Sequence, residues 1–422
     1  MIRAIIFCML IFLLFGARET VGQEWFKGNL HMHTLWSDGD AAPEYAAAWY
    51  KDNGWDFICF TDHNILLEGE TFKPIADESV LTPDCVDALR EQFGDDWVET
   101  REQLGRLRMR LKTFEELRAH FEAPGSFLLM QGEELTTLGG SPHVNAINSV
   151  ERIGGLTQDD IAVVTDEYMA SIEAQAEAHG RPIVHFLCHP NWSDAVTIEE
   201  AIKIERLRYF EVYNGHPAVN NWGHEEHGYP TTDRIWDVVL SMRLKSDPGY
   251  FLYGLATDDA HNYHRMGRGA NPGRGWVMVR AEALETEALL AAIKAGEFYA
   301  STGVSLDNIT RNASGISFDI IATPGVSYTT RFIGTRRGFN TESEPVLCED
   351  GEPKPRASRQ YSDEIGVVLA ETTDTSPSYT FTGDELYVRA KVVSDTPHPN
   401  PFREGDTEMA WVQPAIVGQL QE

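Results

Sequence analysis

Three widely separated stretches of this chain end alike: His31-Met32-His33 with Asp38, Thr61-Asp62-His63, and Asp259-Ala260-His261 each follow or close a short apolar run. Side chains alternate faces along a β-strand, so His31 and His33 project together, as do Asp259 and His261. A chain folded so that several strands end at one place brings these pairs into a single metal site, and a parallel sheet or barrel does that.

Further residues of the same kind close other apolar runs. Phe127-Leu128-Leu129-Met130 leads to Glu134, Ile183-Val184-His185-Phe186-Leu187 leads to His189, and His143 precedes Val144-Asn145-Ala146-Ile147. A lone histidine in an apolar strand is ordinarily a hydrogen-bonded core residue. Six of the fourteen histidines fall in this pattern, together with Asp38, Glu134 and Asp259, and chance is the weaker explanation. Imidazole mixed with carboxylate and no thiolate suits Zn, Mn or Fe in a reactive site, not an all-cysteine structural one.

The length, 422 residues, allows two domains. From Trp25 to about Thr302 short apolar runs alternate with helix-like segments, the pattern of βα units. Expected strands are 26–33, 57–61, 127–131, 182–187, 208–213, 251–257 and 276–280. Expected helices run from Pro43 to Lys51, Asp95 to Phe121, Asp166 to His179, Thr231 to Leu244 and Leu284 to Gly296. The arginine-rich 99–122 segment reads as a solvated helix face, with a lid over an anionic substrate as the sharper alternative. Beyond Gly303 the alternation of 316–320, 328–333 and 386–393 predicts a small antiparallel β-sandwich-like domain, residues 304–422, with a long loop over 336–378.

Arg3 followed by the apolar stretch from Ala4 to Phe15 is too short for a comfortable span and reads as a secretory signal, residues 1–22. The expected mature protein is secreted or periplasmic, with no stable membrane span after cleavage. Its four cysteines, Cys59, Cys85, Cys188 and Cys348, form no disulfide framework, and Cys188, next to His189, is expected to face away from the ions. A net charge of −30 opposes long nucleic acid as a partner, since that affinity comes from Lys and Arg neutralising phosphates. Oligomeric state is not legible.

Gly28-Asn29-Leu30-His31-Met32-His33-Thr34, Ser37-Asp38-Gly39, Phe60-Thr61-Asp62-His63-Asn64, Gly132-Glu133-Glu134 and Asp258-Asp259-Ala260-His261 resemble the motifs of the polymerase-and-histidinol-phosphatase (PHP) superfamily. The resemblance covers about residues 25–303, within an expected hydrolase domain of residues 23–303, and implies a distorted (β/α)7 barrel with two or three divalent ions at the strand C-termini. One ion would take His31, His33, Glu134 and Asp259; a second Glu134, His143 and His189; a third Asp38, His63 and His261. Glu134 is preferred over Glu133, and Asp259 over Asp258, by the family's Gly-x-Glu and Asp-x-His spacing, leaving the neighbouring acids as supports of the ligands.

Tyr387-Val388-Arg389-Ala390 and Ala410-Trp411-Val412-Gln413-Pro414 are similar to the tail of secreted PHP members grouped with carbaryl hydrolase. The resemblance implies hydrolysis by a metal-activated water, with phosphoester cleavage of a small soluble substrate first and carbamate or aryl ester cleavage second. A non-catalytic metal- or glycan-binding protein is the reading from a different class. His264 and Arg265 are the candidate catalytic side chains, and Arg274, Asn214 and His216 the candidate substrate contacts, because all follow strands at the active face. No nucleophile elbow or phosphate loop competes; Gly267-Arg268-Gly269-Ala270-Asn271-Pro272-Gly273 lacks the lysine.

Overall fold

The computed structural model describes residues 22–138, 140–157, 159–224, 227–401 and 403–418. The segment read as a secretory signal lies outside these residues except for Gly22. Among the described residues no helix is long and apolar enough to cross a membrane.

Seven strands stand side by side in chain order: β1 (Glu24–Asn29), β2 (Phe57–Phe60), β3 (Leu128–Thr136), β4 (His143–Ile147), β5 (Val184–Leu187), β6 (Tyr209–Asn214) and β7 (Tyr253–Thr257). Pairing is parallel from β1 to β3 and from β5 to β7, with Phe57 opposite Leu128 and Tyr253 opposite Tyr209. Strand β4 runs against both neighbours, Glu134 facing Asn145 and Asn145 facing Phe186. Beyond the outer strands the chain meets again: Met32 pairs in parallel with Ala260, the Asp259 N–H donates to His31 O at 3.0 Å, and the His33 N–H donates to Ala260 O at 2.9 Å.

The other side of β1 carries β8 (Trp276–Ala281) and β9 (Phe298–Ser301), both antiparallel. The sheet then continues through Thr407–Ile416, Glu385–Pro397, Tyr328–Arg336 and Val367–Thr372, thirteen strands among the described residues. A separate antiparallel sheet of Leu306–Asn312, Gly315–Ile320 and Ser378–Thr380 shares a buried cluster with it, which gathers Ile316 and Phe318 with Phe332, Val388, Ala390 and Val392.

Helices follow the caps written in the chain. Asp160 accepts the N–H groups of Ala162 and Val163 to start Ile161–His179, and Gly180, at φ 60°, ends it in the left-handed region. Thr197 and Glu200 form a capping box on Ile198–Lys203. Pro43–Asp52, Thr232–Ser246 and Thr286–Lys294 lie where the sequence places them.

Three expectations are corrected. The segment from Asp95 to Phe121 is not one helix: Thr100–Gln103 and Arg106–Arg110 form a hairpin that also pairs with Phe72–Pro74, and only Phe114–Phe121 is helical. Leu107, Met109 and Leu111 recur every second residue, and Gly105, at φ 71°, turns the chain before them. The His143–Ile147 run is a strand, too short and too evenly buried to show a period. The 336–378 stretch holds Ser343–Glu344, Gln360–Tyr361 and Val367–Thr372 as strands, so it is not a plain loop.

Candidate metal centre

The site lies where β1, β2, β3, β5 and β7 run out. Alternation sends His31 and His33 the same way, while Leu30 and Met32 pack into two different apolar clusters. In β3 it separates Glu134, which faces the histidines, from Glu133, whose carboxylate turns away to accept the N–H groups of Ile153 and Gly154. Asp38 arrives by a tight turn. The Asp62 carboxylate accepts the N–H groups of Thr34 and Ser37 at 2.8 and 3.0 Å, and a Cβ at Gly39 would sit 2.6 Å from His33 O. Asp259 takes φ 49°, a left-handed conformation that aspartate tolerates better than most residues and that marks functional positions.

At the innermost point four side-chain atoms converge. His31 Nε2 and His33 Nε2 are 3.2 Å apart. His31 Nε2 lies 3.3 Å from both Glu134 Oε2 and Asp259 Oδ1, and His33 Nε2 lies 3.2 Å from both. Four ligands at about 2.0–2.1 Å from a tetrahedral ion stand about 3.3–3.4 Å from one another. Glu134 Oε2 and Asp259 Oδ1 are buried and accept no hydrogen bond. Buried carboxylate oxygens are normally satisfied, so this pair is shaped for a cation, and the residues fit a divalent ion.

The other carboxylate oxygen of Glu134 serves a second group: His143 Nδ1 is 2.8 Å and His189 Nε2 3.0 Å from Oε1. Asp38 gathers a third, with His261 Nε2 at 3.4 Å, His63 Nε2 at 3.6 Å and His33 Nδ1 at 3.7 Å. His63 also turns Nδ1 to Glu134 Oε2 at 3.0 Å. The nine residues singled out in the sequence therefore occupy one place. Exposure grades across it: His31, His33 and Glu134 side chains are fully buried, whereas Asp38 is 56% exposed.

Hydrogen bonds on the far sides of the rings leave the inward nitrogens free. His31 donates from Nδ1 to Glu211 Oε1 at 2.6 Å, His143 from Nε2 to Gly140 O at 2.9 Å, and His261 from Nδ1 to Asp259 O at 2.9 Å. These partners assign the tautomer in which the other nitrogen holds a lone pair toward the centre.

The charges are mutually dependent. Burial alone would raise the Glu134 carboxyl, but His63, His31 and His143 hold it well below the usual range. Asp259, likewise buried, is held low by His31, His33 and His261. Burial opposes protonation of His63, yet Glu134 and Asp38 push it up to about 9. Acid and base here keep each other charged, so a proton and a cation compete for the same inward ring nitrogens.

The remaining candidates divide. Asn214 donates to Asp259 Oδ2 at 3.2 Å and to Glu211 Oε2 at 2.8 Å, and the His216 ring lies 5.2 Å from that of His261. His264 and Arg265 are exposed; His264 packs on the Tyr45 ring at 4.7 Å, and Arg265 offers its carbonyl to Asn271. Neither joins the cluster, because the chain turns outward after Tyr263. Arg274 is buried, with Nη1 donating to Gly215 O at 2.7 Å and Gly269 O at 2.9 Å, Nη2 3.5 Å from Asn400 Oδ1 and Nε without a partner, so one end of its guanidinium is committed to the loops. Asp258, expected beside the ligands, braces the next loop by accepting the N–H groups of Gly273, Arg274 and Gly275. Cys188 is buried with its Sγ grouped with His31 and Glu211, so it lies behind the cluster and not clear of it.

Glu211 is the residue that motif reasoning missed. Its signal was present, a single carboxylate in the apolar run Tyr209-Phe210-Glu211-Val212-Tyr213. Trp192, whose ring stands 5.2 Å from His143 and 5.8 Å from His189, was missed as well.

No protein-family model and no curated protein matches the chain. Among solved structures it is similar to a two-domain protein from Bacteroides vulgatus described as containing a predicted PHP-like metal-dependent phosphoesterase, at 16% identity and TM-score 0.36, over 93% of this chain and 96% of that one. It is also similar to a putative metal-dependent phosphoesterase from Bifidobacterium adolescentis, at 14% identity and TM-score 0.28, over 58% of this chain and 89% of that one. Likenesses of this size assign neither activity nor substrate, and the chemistry rests on the convergent histidines and carboxylates themselves.

Proposed function

We propose that this chain is a metal-dependent hydrolase of the PHP type that cleaves phosphoester bonds of a small soluble substrate. The observation that carries the reading is the set of four converging atoms of His31, His33, Glu134 and Asp259, two of them buried carboxylate oxygens without donors. We read the seven strands β1–β7 as a distorted (β/α)7 barrel. The Met32–Ala260 bridge supports closure, as does one buried cluster drawing Leu30, Phe57, Met130, Ile147, Phe186, Tyr209 and Leu255 from all seven strands and their extensions. In this reading residues 23–303 form the hydrolase unit, 304–422 a β-sandwich-like unit, and export with loss of residues 1–22 delivers the enzyme outside the cytoplasm.

His31, His33, Glu134 and Asp259 would hold one ion, Glu134, His143 and His189 a second, and Asp38, His63 and His261 a third, with Zn, Mn or Fe suited to the donor set. Divalent ions there supply a water acidic enough to attack near neutral pH and positive charge for the departing oxygen. The exposed flank at Asp38 admits substrate. His216 Nδ1 accepts the Ala218 N–H at 3.1 Å, which puts the ring proton on Nε2, available to a leaving oxygen.

One observation favours a carbamate or aryl ester substrate instead. The Trp192 ring lines the His143–His189 side, 5.2 Å from the ring of His143 and 5.8 Å from that of His189, an apolar face suited to an aryl group.

The test is hydrolysis of matched aryl phosphate monoester, phosphate diester, carbamate and acetate by protein loaded separately with Mn, Zn or Fe, with His33→Ala as control. Metal-dependent phosphoester turnover that disappears in the control supports the reading. Preference for neutral esters moves the enzyme to the second reading, and metal retention with no turnover makes it a binding protein.

A further inference from the structure

We propose that Glu211 is the positioning residue that sets the ligand geometry of the centre, an inference that rests on the metal reading above. Its carboxylate is completely buried in mid-strand and receives four hydrogen bonds. Oε1 accepts from His31 Nδ1 at 2.6 Å and from Thr257 Oγ1 at 2.6 Å. Oε2 accepts from the His189 backbone N–H at 2.7 Å and from Asn214 Nδ2 at 2.8 Å. Asn214 in turn donates to Asp259 Oδ2. One side chain thereby reaches three candidate ligands carried on three different strands or their extensions: His31 through its ring, His189 through its backbone, and Asp259 through an amide.

The donors leave no freedom in the acceptor. His31 can keep Nε2 bare toward Glu134 and Asp259 only if Nδ1 carries the proton, and the bond to Glu211 fixes that tautomer. The φ of 21° at His189, unusual for a non-glycine residue, is held by the second pair. An amide at 211 fails in either orientation. With its NH2 toward His31 it makes Nδ1 an acceptor and places the proton on Nε2, inside the ligand group. With its NH2 toward His189 and Asn214 it sets donor against donor.

The experiment compares wild type, Glu211→Gln, Thr257→Val and, as a control, Glu133→Gln, a similarly buried carboxylate that accepts two backbone N–H groups but touches no candidate ligand. Affinities for Zn and Mn are read by competition with a chromophoric chelator, fold by circular dichroism, and the hydrogen bond at His31 Nδ1 by 15N NMR of the zinc-loaded protein. E211Q is expected to bind the tightest equivalent about 10–100-fold more weakly, the usual cost of losing such an outer partner, with the His31 Nδ1 resonance shifted by the loss of its carboxylate partner. T257V, which removes one donor, is expected to lose several-fold, and E133Q to keep wild-type affinity. Wild-type affinity and a wild-type His31 Nδ1 resonance in folded E211Q overturn the positioning role, as does equal weakening in E133Q. If E211Q does not fold, unchanged affinity in T257V overturns it. A wild-type protein that takes up neither metal overturns the metal reading and this inference together.

Discussion

Arg389 clasps Asp237 with two parallel bonds, Nε to Oδ1 at 2.8 Å and Nη2 to Oδ2 at 2.7 Å, joining a C-terminal strand to the Thr232–Ser246 helix. Tyr387 donates to the same Oδ1 at 2.7 Å, Arg389 Nη1 reaches Asp233 at 2.9 Å, and Lys391 donates to Asp233 at 2.6 Å. Arg389→Met strands the buried Asp237 charge. Removing one partner of a buried pair costs about 3–5 kcal/mol, so the urea midpoint should fall accordingly. Metal content per folded molecule should stay at the wild-type value, since none of these residues touches the centre.

Glu134 faces His31, His33 and His63 through one oxygen and His143 and His189 through the other. Glu134→Gln should therefore remove bound metal from more than one position and abolish metal-dependent turnover. Elemental analysis beside kcat checks both; full metal content with full activity refutes the shared role.

Arg274→Ala opens two buried carbonyls, Gly215 O and Gly269 O, and frees the loops that carry His216 and follow His261. Hydrogen bonds from a charged donor contribute about 1.5–3 kcal/mol each, so stability should drop by about 3 kcal/mol or more. Any change in KM should be equal for anionic and neutral substrates. A rise confined to the anionic ones returns Arg274 to the substrate.

Glu44 is buried in the first turn of Pro43–Asp52 with Trp97 Nε1 on one oxygen at 3.2 Å and none on the other, and burial lifts its carboxyl from 4.5 to about 7. The folded state then holds a proton that the unfolded chain has released. This contribution to stability is complete below pH 4.5 and is lost as pH rises to about 7, a fall on the order of 3 kcal/mol. Glu44→Gln should flatten the dependence of the urea midpoint across that window and gain stability at pH 8. An unchanged slope would refute the assignment.

Most of the ligands were legible because they sit at the end of apolar runs, where alternation decides which residues share a face; His31 with His33 follows from that geometry, whereas Glu134 in place of Glu133 came from the Gly-x-Glu spacing of the resemblance. His143 was legible as a ligand but its strand was not, since Val144-Asn145-Ala146-Ile147 is buried on both faces and shows no period. Segment 100–110 misled because its arginines suggested a helix face, whereas its period is two. Arg274 was only partly legible for another reason: a sequence shows a guanidinium but not that it is buried with Nη1 on two loop carbonyls. Glu211 was hidden because its role depends on partners at positions 31, 189, 214 and 257, which only the fold assembles.

Strand Thr407–Ile416 lies against β9, and its Gln413 side chain both donates to Gly254 O at 2.8 Å and accepts the Gly254 N–H at 2.9 Å, in the strand leading to Asp259. A ribosome delivers every candidate ligand long before it delivers this strand. Until then β9 presents an open edge and Gly254 an unanswered amide, a state prone to wrong pairing. Completion of the centre thus waits on a stretch of chain that contributes nothing to it chemically, and a product truncated after residue 303 is expected to aggregate before it can bind metal.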